Sequence, residues 1–435
     1  MVARWASRIL IGVFAAVSAG GGALVTTSAL GVLPPAPATL DSAAFVAPLP
    51  QPATPEAGLA EVDPAKQPDK ARITAGLGAL GQQGVGKTSL CVMDLGGEVV
   101  ESDSGDSARV PASSWKVITA LGALAALGPD HRFATTVVSS SSGVVLVGGG
   151  DPYLGQLGVK DLADQTAEAL KAAGRTSIVL GYDDTLFSGP SWHPSWTDDI
   201  FGDVPPISAL SVDPSPGMNT TVSVGAARAL SVELGSRGIS VTGIRQERAR
   251  AQGEELAKVW SVPLSVIVHR ALEISDNFAS EVLFRHISVA SGGDGSFLGA
   301  QSALAAYLKS RGLWSDGMRV SDGSGLSLDN KVSACVLASA IQVAYADALS
   351  DVLVGLPVAG VSGTLVNRFD DPNEASGRGV VRAKTGTHDY VRTLTGFVQT
   401  SNGAILTFSF MVWDVTNPDA TLNWIDQAAA ILADA

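Results

Sequence analysis

The chain has 435 residues, a formal net charge of −13 and charged side chains at 16% of its positions. That length exceeds one ordinary domain and allows two or three. The acidic balance argues against a nucleic acid as the natural partner, since no basic patch would neutralise phosphate groups. Two cysteines, Cys91 and Cys335, are too few for a disulfide scaffold, and the sequence leaves open whether they are bridged or are buried free thiols.

Residues 1–33 have the composition of an export signal. Arg4 and Arg8 lie near the start, and no charged residue follows between positions 9 and 33. The apolar run is long enough to span a bilayer, so cleavage near Ala36 and retention as a membrane anchor both stay open. We therefore expect the protein to work outside the cytoplasm, in the cell envelope, and to touch a membrane only through this segment.

Residues 34–69 are rich in proline and alanine. A segment of this composition buries too little apolar surface to fold on its own. It is predicted to be an extended linker that holds the rest of the chain away from a membrane.

Residues 81–88 match the phosphate-binding pattern G-x-x-x-x-G-K-[ST] at every position. A true phosphate-binding loop opens a helix, and the helix N-terminus holds the phosphates. Here the residues after Thr88 are typical of a strand that ends at the turn Gly96-Gly97. We therefore predict that this segment is a loop leading into a strand and that it binds no nucleotide.

A second pattern, S-x-x-K, lies at the predicted start of a helix. Pro111 suits a first helical turn, where its missing N–H costs nothing, and apolar residues then recur at helical spacing. Ser113 and Lys116 are three positions apart and lie on one face of that helix. A lysine with a lowered pKa can take the proton of a serine hydroxyl and make it a nucleophile. Alone, the pattern is common by chance, and a capping serine with a surface lysine is the more ordinary explanation.

The chain changes character over residues 133–259. Strand-like runs alternate with glycine-rich turns, and a helix is predicted over residues 162–173. We interpret this part as an inserted α/β domain. Its aromatic group Trp192, His193 and Trp196 is predicted to pack within a loop and not to form a ligand site.

Two further tripeptides follow, Ser275-Asp-Asn277 and Lys384-Thr-Gly386, and they make chance an unsatisfactory explanation. S-x-x-K, S-D-N and K-T-G are the set shared by class A β-lactamases and penicillin-binding proteins. In this interpretation Ser113 is the nucleophile that becomes acylated and Lys116 is its general base. Ser275 relays a proton to the leaving amine, and Asn277 binds the substrate amide through its donor and acceptor ends.

The third motif is predicted to bind substrate from an edge strand. Lys384 supplies positive charge for a terminal carboxylate, and Thr385 offers a hydroxyl. Gly386 lets the substrate backbone approach the strand. The N–H of Thr387, opposite that of Ser113, is the predicted second donor to the oxyanion. We expect neither a metal nor a cofactor.

Strands and a helix near both ends of the chain, with helices between them, predict an α+β fold in which helices flank an antiparallel sheet. A hairpin is expected at Asn402-Gly403, between strands over residues 393–399 and 404–413. The catalytic domain is then made of residues 70–132 and 260–435, and the inserted domain lies between the first and second motifs.

The sequence resembles the D-alanyl-D-alanine carboxypeptidase/endopeptidase family of class C low-molecular-mass penicillin-binding proteins. The resemblance covers about residues 75–435, and the stretches that carry it are residues 111–116, 148–152, 275–277, 322–326, 363–365 with Arg368, and 384–387. It implies a penicillin-binding-protein/β-lactamase-like transpeptidase fold. It also implies a serine-type carboxypeptidase that cleaves peptidoglycan stem peptides ending in D-Ala-D-Ala and is inhibited by β-lactams, and it leaves open an additional endopeptidase activity.

Two alternatives share this fold: a β-lactamase and a non-catalytic penicillin-binding module. The non-catalytic module is expected to lack a motif, and none is missing. A class A β-lactamase uses a glutamate to activate the deacylating water. Only Glu281 and Glu374 lie between the second and third motifs. Glu281 is expected to orient Asn277 or to face solvent, and Glu374 lies in a segment with the composition of a loose loop, so neither suits that role.

Overall fold

The computed structural model describes residues 66–217, 221–250, 252–347 and 349–435. The predicted export segment 1–33 and nearly all of the predicted linker 34–69 lie outside the described residues. In the part of the chain that the structure describes, no helix is both long and apolar enough to cross a membrane.

The described residues form ten strands in two sheets. In chain order the strands are β1 (Lys87–Asp94), β2 (Val99–Asp103), β3 (Ala134–Ser139), β4 (Gly143–Val147), β5 (Ser177–Asp183), β6 (Ser240–Gln246), β7 (Glu255–Trp260), β8 (Val381–His388), β9 (Val391–Gln399) and β10 (Ile405–Trp413).

Ten α-helices accompany the strands in the same residues. In chain order they are α1 (Lys70–Ala79), α2 (Trp115–Leu127), α3 (Gln156–Ala172), α4 (Val222–Ser236), α5 (Leu264–Glu273), α6 (Asn277–Ala290), α7 (Phe297–Ser310), α8 (Ala334–Ala346), α9 (Ser350–Val354) and α10 (Pro418–Ala433).

The first sheet is antiparallel, with five strands in the order β2-β1-β10-β9-β8. Strands β9 and β10 are buried over almost their whole length, because each face of the sheet packs against a different apolar cluster. Side chains alternate between the faces, so Met411 joins the cluster of α2 and α8, and Phe410 packs with Trp424 of α10. The predicted antiparallel sheet flanked by helices is confirmed, and Asn402-Gly403 lies between β9 and β10 as expected.

The second sheet has the order β6-β5-β4-β3-β7 and is built from residues 134–260. Strand β5 pairs in parallel with β4 and β6, whereas β3 pairs antiparallel with β4 and β7. Residues of α3 and α4 share one apolar cluster with these strands. Helix α3 begins at Gln156, earlier than the predicted start at Leu162, because Val159 already packs into that cluster. The limits of a separate inserted domain stay a prediction.

The structure shows whether the two cysteines are bridged or free, which the sequence left open. A disulfide joins Cys91 of β1 to Cys335 of α8 across a sequence separation of 244 residues. The bond therefore ties the first sheet to a helix that packs on one of its faces.

Candidate active site

The S-x-x-K pattern lies where a short 3-10 helix, Ala112–Ser114, continues into α2. Ala112 has a φ of 47°, in the left-handed region that non-glycine residues seldom adopt, and such strain concentrates at functional sites. The loop that contains Gly325 lies very close to this turn, because a Cβ placed on Gly325 would lie 2.0 Å from the Ala112 carbonyl oxygen. Ser113 stays half-buried at this turn, whereas Lys116 is 1% exposed, since α2 is enclosed by other helices and the sheet.

The side-chain nitrogen of Lys116 has three polar neighbours. Its Nζ lies 3.0 Å from Ser113 Oγ, 2.7 Å from Asn277 Oδ1 and 2.7 Å from the Ser324 carbonyl oxygen. The last two atoms can only accept hydrogen bonds. A neutral amine therefore gives its two N–H groups to Asn277 and Ser324 and turns its lone pair to the hydroxyl of Ser113.

The surroundings of Lys116 favour that neutral form. Burial lowers the pKa of Lys116 from its ordinary value to about 8. Negative charge at Asp322, Glu281 and Asp276 opposes this shift but does not cancel it. At about pH 7 roughly a tenth of the molecules thus hold Lys116 as a free amine beside Ser113, and the fraction rises steeply above that pH.

The second motif reaches this amine through Asn277, the first residue of α6. Asp276 caps that helix by accepting a hydrogen bond from the N–H of Ala279, and this cap fixes where α6 begins. The Nδ2 of Asn277 donates to the carbonyl oxygen of Asp203 at 3.0 Å. One N–H of the Asn277 amide is left for a substrate.

Ser275 stands in the turn before α6, with a φ of 59° in the left-handed region. The structure brings Ser113, Lys116 and Asn277 together through direct hydrogen bonds. It places Ser275 beside them only as a near neighbour of Asn277 in the chain, and its hydroxyl has no hydrogen-bond partner among the described residues.

The third motif lies on β8, an outer strand of the first sheet, as expected. Lys384 is fully buried, and its Nζ donates to the carbonyl oxygen of Thr385 at 2.9 Å. Burial, and then the nearby charge of Lys116, hold the pKa of Lys384 well below its ordinary value. The Thr385 hydroxyl lies 2.7 Å from that of Thr364, and Thr387 is exposed near the end of the strand.

The structure supplies a reason for glycine at 386 that the sequence did not suggest. A Cβ there would lie 2.0 Å from Thr393 Oγ1 and 2.8 Å from the Pro111 carbonyl oxygen. The Thr393 hydroxyl donates to that carbonyl oxygen at 2.9 Å and lies 2.7 Å from Ser114 Oγ. The absence of a side chain at Gly386 therefore lets the turn of residues 111–114 lie directly against β8 and β9.

Sequence reasoning missed the part played by the loop of residues 322–327 and by Glu281. Glu281 neither orients Asn277 nor faces solvent: it is fully buried, and its Oε1 accepts the N–H groups of Gly323 at 3.0 Å and Ser324 at 2.6 Å. Burial, and then the charge of Asp322, raise the pKa of Glu281 to about 8. One feature of the sequence could have indicated this buried position: Glu281 lies within a largely apolar helical segment after Asn277.

Glu374 does not lie in the loose loop that its composition suggested. It is 2% exposed, beside the Arg368–Asp426 ion pair, and the 3-10 helix that follows it packs against α10. Burial, and then the charge of Asp426, raise the pKa of Glu374 to about 7. The side chain of Glu374 is therefore buried beside Asp426 of α10.

The phosphate-binding pattern leads into a strand, since Lys87 and Thr88 are the first residues of β1. The Nζ of Lys87 lies 2.7 Å from Asp414 Oδ2 in an exposed ion pair. No helix therefore begins after the pattern to hold phosphates. In the described ranges, no three or more His, Cys, Asp and Glu side chains are grouped as a metal site would require.

Comparison with known proteins agrees with this geometry. The model of the D-Ala-D-Ala carboxypeptidase 3 (S13) family matches residues 73–226 and 217–435. A carboxypeptidase of Mycobacterium tuberculosis is 33% identical over 395 residues, which cover 84% of this chain and 85% of the relative. The carboxypeptidase DacB of Mycolicibacterium smegmatis is 32% identical over 431 residues, 90% of each chain. The crystal structure of penicillin binding protein 4 from Haemophilus influenzae superposes with a TM-score of 0.72 at 20% identity, over 85% of this chain and 100% of that one, and shows that the fold is shared.

Proposed function

The chain belongs to the D-Ala-D-Ala carboxypeptidase 3 (S13) family, and we propose that it removes the last residue of D-Ala-D-Ala stem peptides through an acyl-enzyme on Ser113. The observation that carries this proposal is the arrangement of Lys116, a buried amine with two hydrogen-bond acceptors and the Ser113 hydroxyl around it. The family and its carboxypeptidase relatives support peptidoglycan as the substrate.

We propose that acylation proceeds in two steps. The Ser113 hydroxyl gives its proton to the Lys116 lone pair as Oγ bonds to the carbonyl carbon of the penultimate D-Ala. The resulting oxyanion accepts hydrogen bonds from the N–H groups of Ser113 and Thr387. The C–N bond then breaks, and the proton passes from Lys116, by way of the Ser275 hydroxyl, to the departing amine of the last D-Ala. Water later attacks the ester and frees Ser113.

Lys384 is suited to bind the free carboxylate of the last D-Ala. In the free protein it is a buried lysine with no carboxylate partner among the described residues, so burial disfavours its charged form. An arriving carboxylate supplies the missing opposite charge and favours the ammonium. Recognition of the substrate end is thus coupled to protonation of Lys384.

We propose that β-lactams acylate Ser113 and stay attached. Deacylation in class A β-lactamases needs a glutamate beside the water. Oε1 of Glu281 instead accepts two backbone N–H groups, and Glu374 packs near α10. In a burst experiment with a chromogenic cephalosporin we expect the release of one equivalent of product, followed by almost no further release. Sustained release of many equivalents would make the protein a β-lactamase.

We further propose that the protein works outside the cytoplasm, with residues 1–33 as its export signal or membrane anchor. The Cys91–Cys335 disulfide supports this location, because disulfides persist mainly in oxidising compartments. Alkylation of free thiols on the protein taken directly from cells, followed by mass spectrometry, tests it. Recovery of both cysteines as alkylated thiols would contradict the proposal.

The direct test of the function is to map the site of acylation. The full chain is incubated with a penicillin, digested, and sequenced by tandem mass spectrometry. We expect the adduct on Ser113, with Ser114 unmodified because its hydroxyl is buried against Thr393 and the Lys384 carbonyl oxygen. Release of D-alanine from a D-Ala-D-Ala pentapeptide is measured in parallel. Labelling that persists in Ser113→Ala, or peptidase activity that survives in it, would overturn the assignment.

A further inference from the structure

The segment of residues 196–203, which belongs to the predicted insertion, contacts the active site at two points. The indole Nε1 of Trp196 donates to Asp322 Oδ2 at 2.8 Å. The carbonyl oxygen of Asp203 accepts the Nδ2 of Asn277 at 3.0 Å. Asp322 lies in the loop that supplies the Ser324 carbonyl, and Asn277 supplies its own Oδ1, so each contact leads to one of the two acceptors of Lys116.

Asp322 determines the shape of the loop that carries Ser324. Its Oδ1 accepts hydrogen bonds from the N–H of Gly325 at 2.8 Å and from Asn330 Nδ2 at 2.6 Å. Its Oδ2 accepts the N–H of Ser327 at 2.6 Å besides the indole of Trp196. The indole of Trp196 is thus one of four donors to the Asp322 carboxylate. Hydrogen bonds to a charged group in a buried site are among the stronger ones.

Trp196 is itself held firmly. It is 6% exposed, and its ring packs edge-on against Trp192 with 5.1 Å between the centroids, and against Phe297 with 5.8 Å. The neighbouring Ser195 hydroxyl lies 2.6 Å from that of Ser327, at the far end of the same loop. The aromatic group is therefore more than loop packing, because it supports the loop that contacts Lys116.

The second contact acts on the orientation of Asn277. A carboxamide presents a donor at one end and an acceptor at the other. When Nδ2 faces the Asp203 carbonyl oxygen, Oδ1 must face the other way, where Lys116 lies. The backbone at Asp203 thus selects the amide orientation that can accept from Lys116.

We propose that residues 196–203 position the general base, with Trp196 as a positioning residue that acts through Asp322 and Ser324. This inference rests on the proposed function of Ser113 and Lys116. The segment holds both acceptors in place, and those acceptors leave the Lys116 lone pair aimed at Ser113. Loss of the indole donor lets the loop shift, and the same amine then meets the hydroxyl in poorer geometry.

The test is the rate of Ser113 acylation by a β-lactam in Trp196→Phe, which removes the N–H and keeps an aromatic ring. We expect the limiting acylation rate to fall about ten-fold, the order expected for one hydrogen bond to a charged group, with the dissociation constant of the drug within about two-fold of the wild type. Trp424→Phe is the matched control, because Trp424 is also a buried tryptophan but packs in the separate apolar cluster of α10, and its indole N–H has no hydrogen-bond partner among the described residues. It should keep the wild-type acylation rate.

Two further readouts separate positioning from a change in structure or in pKa. Replacing Trp196 with a benzothienyl alanine, which has sulfur in place of the indole N–H, keeps the packing and should slow acylation equally. The deficit should persist at about pH 9, where Lys116 is mostly neutral in every variant. An unchanged rate with either replacement, or a deficit that vanishes at high pH, would overturn the inference. Absence of acylation in the wild type would instead refute the proposed function.

Discussion

Two buried lysines in this active site have opposite surroundings. Lys116 has its nitrogen within 3.0 Å of three polar atoms supplied by three separate parts of the chain. Lys384 is buried as deeply, but in the described part of the chain its nitrogen bonds only to the carbonyl oxygen of the next residue. Burial lowers the pKa of both. The difference supports the two roles proposed above: Lys116 is oriented for proton transfer, whereas Lys384 has no carboxylate beside it among the described residues and is free to bind that of a substrate.

The largest expected effect comes from removing the oriented lysine. In Lys116→Ala, acylation of Ser113 should fall about a thousand-fold, within the range for loss of a general base, because no other base contacts the hydroxyl in the described residues. Stopped-flow measurement with a fluorescent penicillin checks this. Lys116→Met, which fills more of the space, should be equally slow. A loss below about ten-fold in both variants would show that Lys116 is not the general base. The proposed difference in function between Lys116 and Lys384 would then be wrong.

The second prediction concerns the lysine without a partner. In Lys384→Met the specificity constant for carboxylate-bearing peptides should fall about ten- to a hundred-fold, because a charge-assisted hydrogen bond to the substrate is lost. A peptide ester without the free carboxylate should lose about two-fold at most. Steady-state kinetics on the matched pair of substrates measures the split. Equal losses for both substrates would show that Lys384 serves the site in some way other than carboxylate binding.

How far the sequence predicted this site depends on how local each contact is. Ser113 and Lys116 share one helical turn, so their meeting follows from spacing alone, and the place of Lys384 on an outer strand follows from its flanking residues. Glu281, Ser324 and Trp196 meet the site across long sequence separations. Such long-range contacts leave no periodic pattern in the sequence from which they could be predicted. The left-handed turn at Ala112 likewise depends on the close approach of Gly325.

The smallest effect is expected for a third lysine, which is exposed, in contrast to the two buried ones. Lys87 is exposed and pairs with Asp414 at the surface, although its sequence pattern resembles a phosphate-binding loop. Lys87→Ala should leave peptidase activity within about two-fold, since exposed substitutions away from packing change little. Calorimetry with ATP should show no binding by the wild type. Binding that disappears in Lys87→Ala would mean that the pattern has a function of its own.

In the proposed acylation, a buried, oriented and neutral Lys116 takes the proton of Ser113. The most direct measurement is the second-order rate constant for acylation by a carboxylate-free thioester as pH is raised, because this constant reports the free enzyme and avoids the protonation of Lys384. With the pKa of Lys116 lowered to about 8, the neutral fraction rises about ten-fold between about pH 7 and pH 9, and the rate should rise with it. A rate that stays flat or falls across that interval would contradict the account.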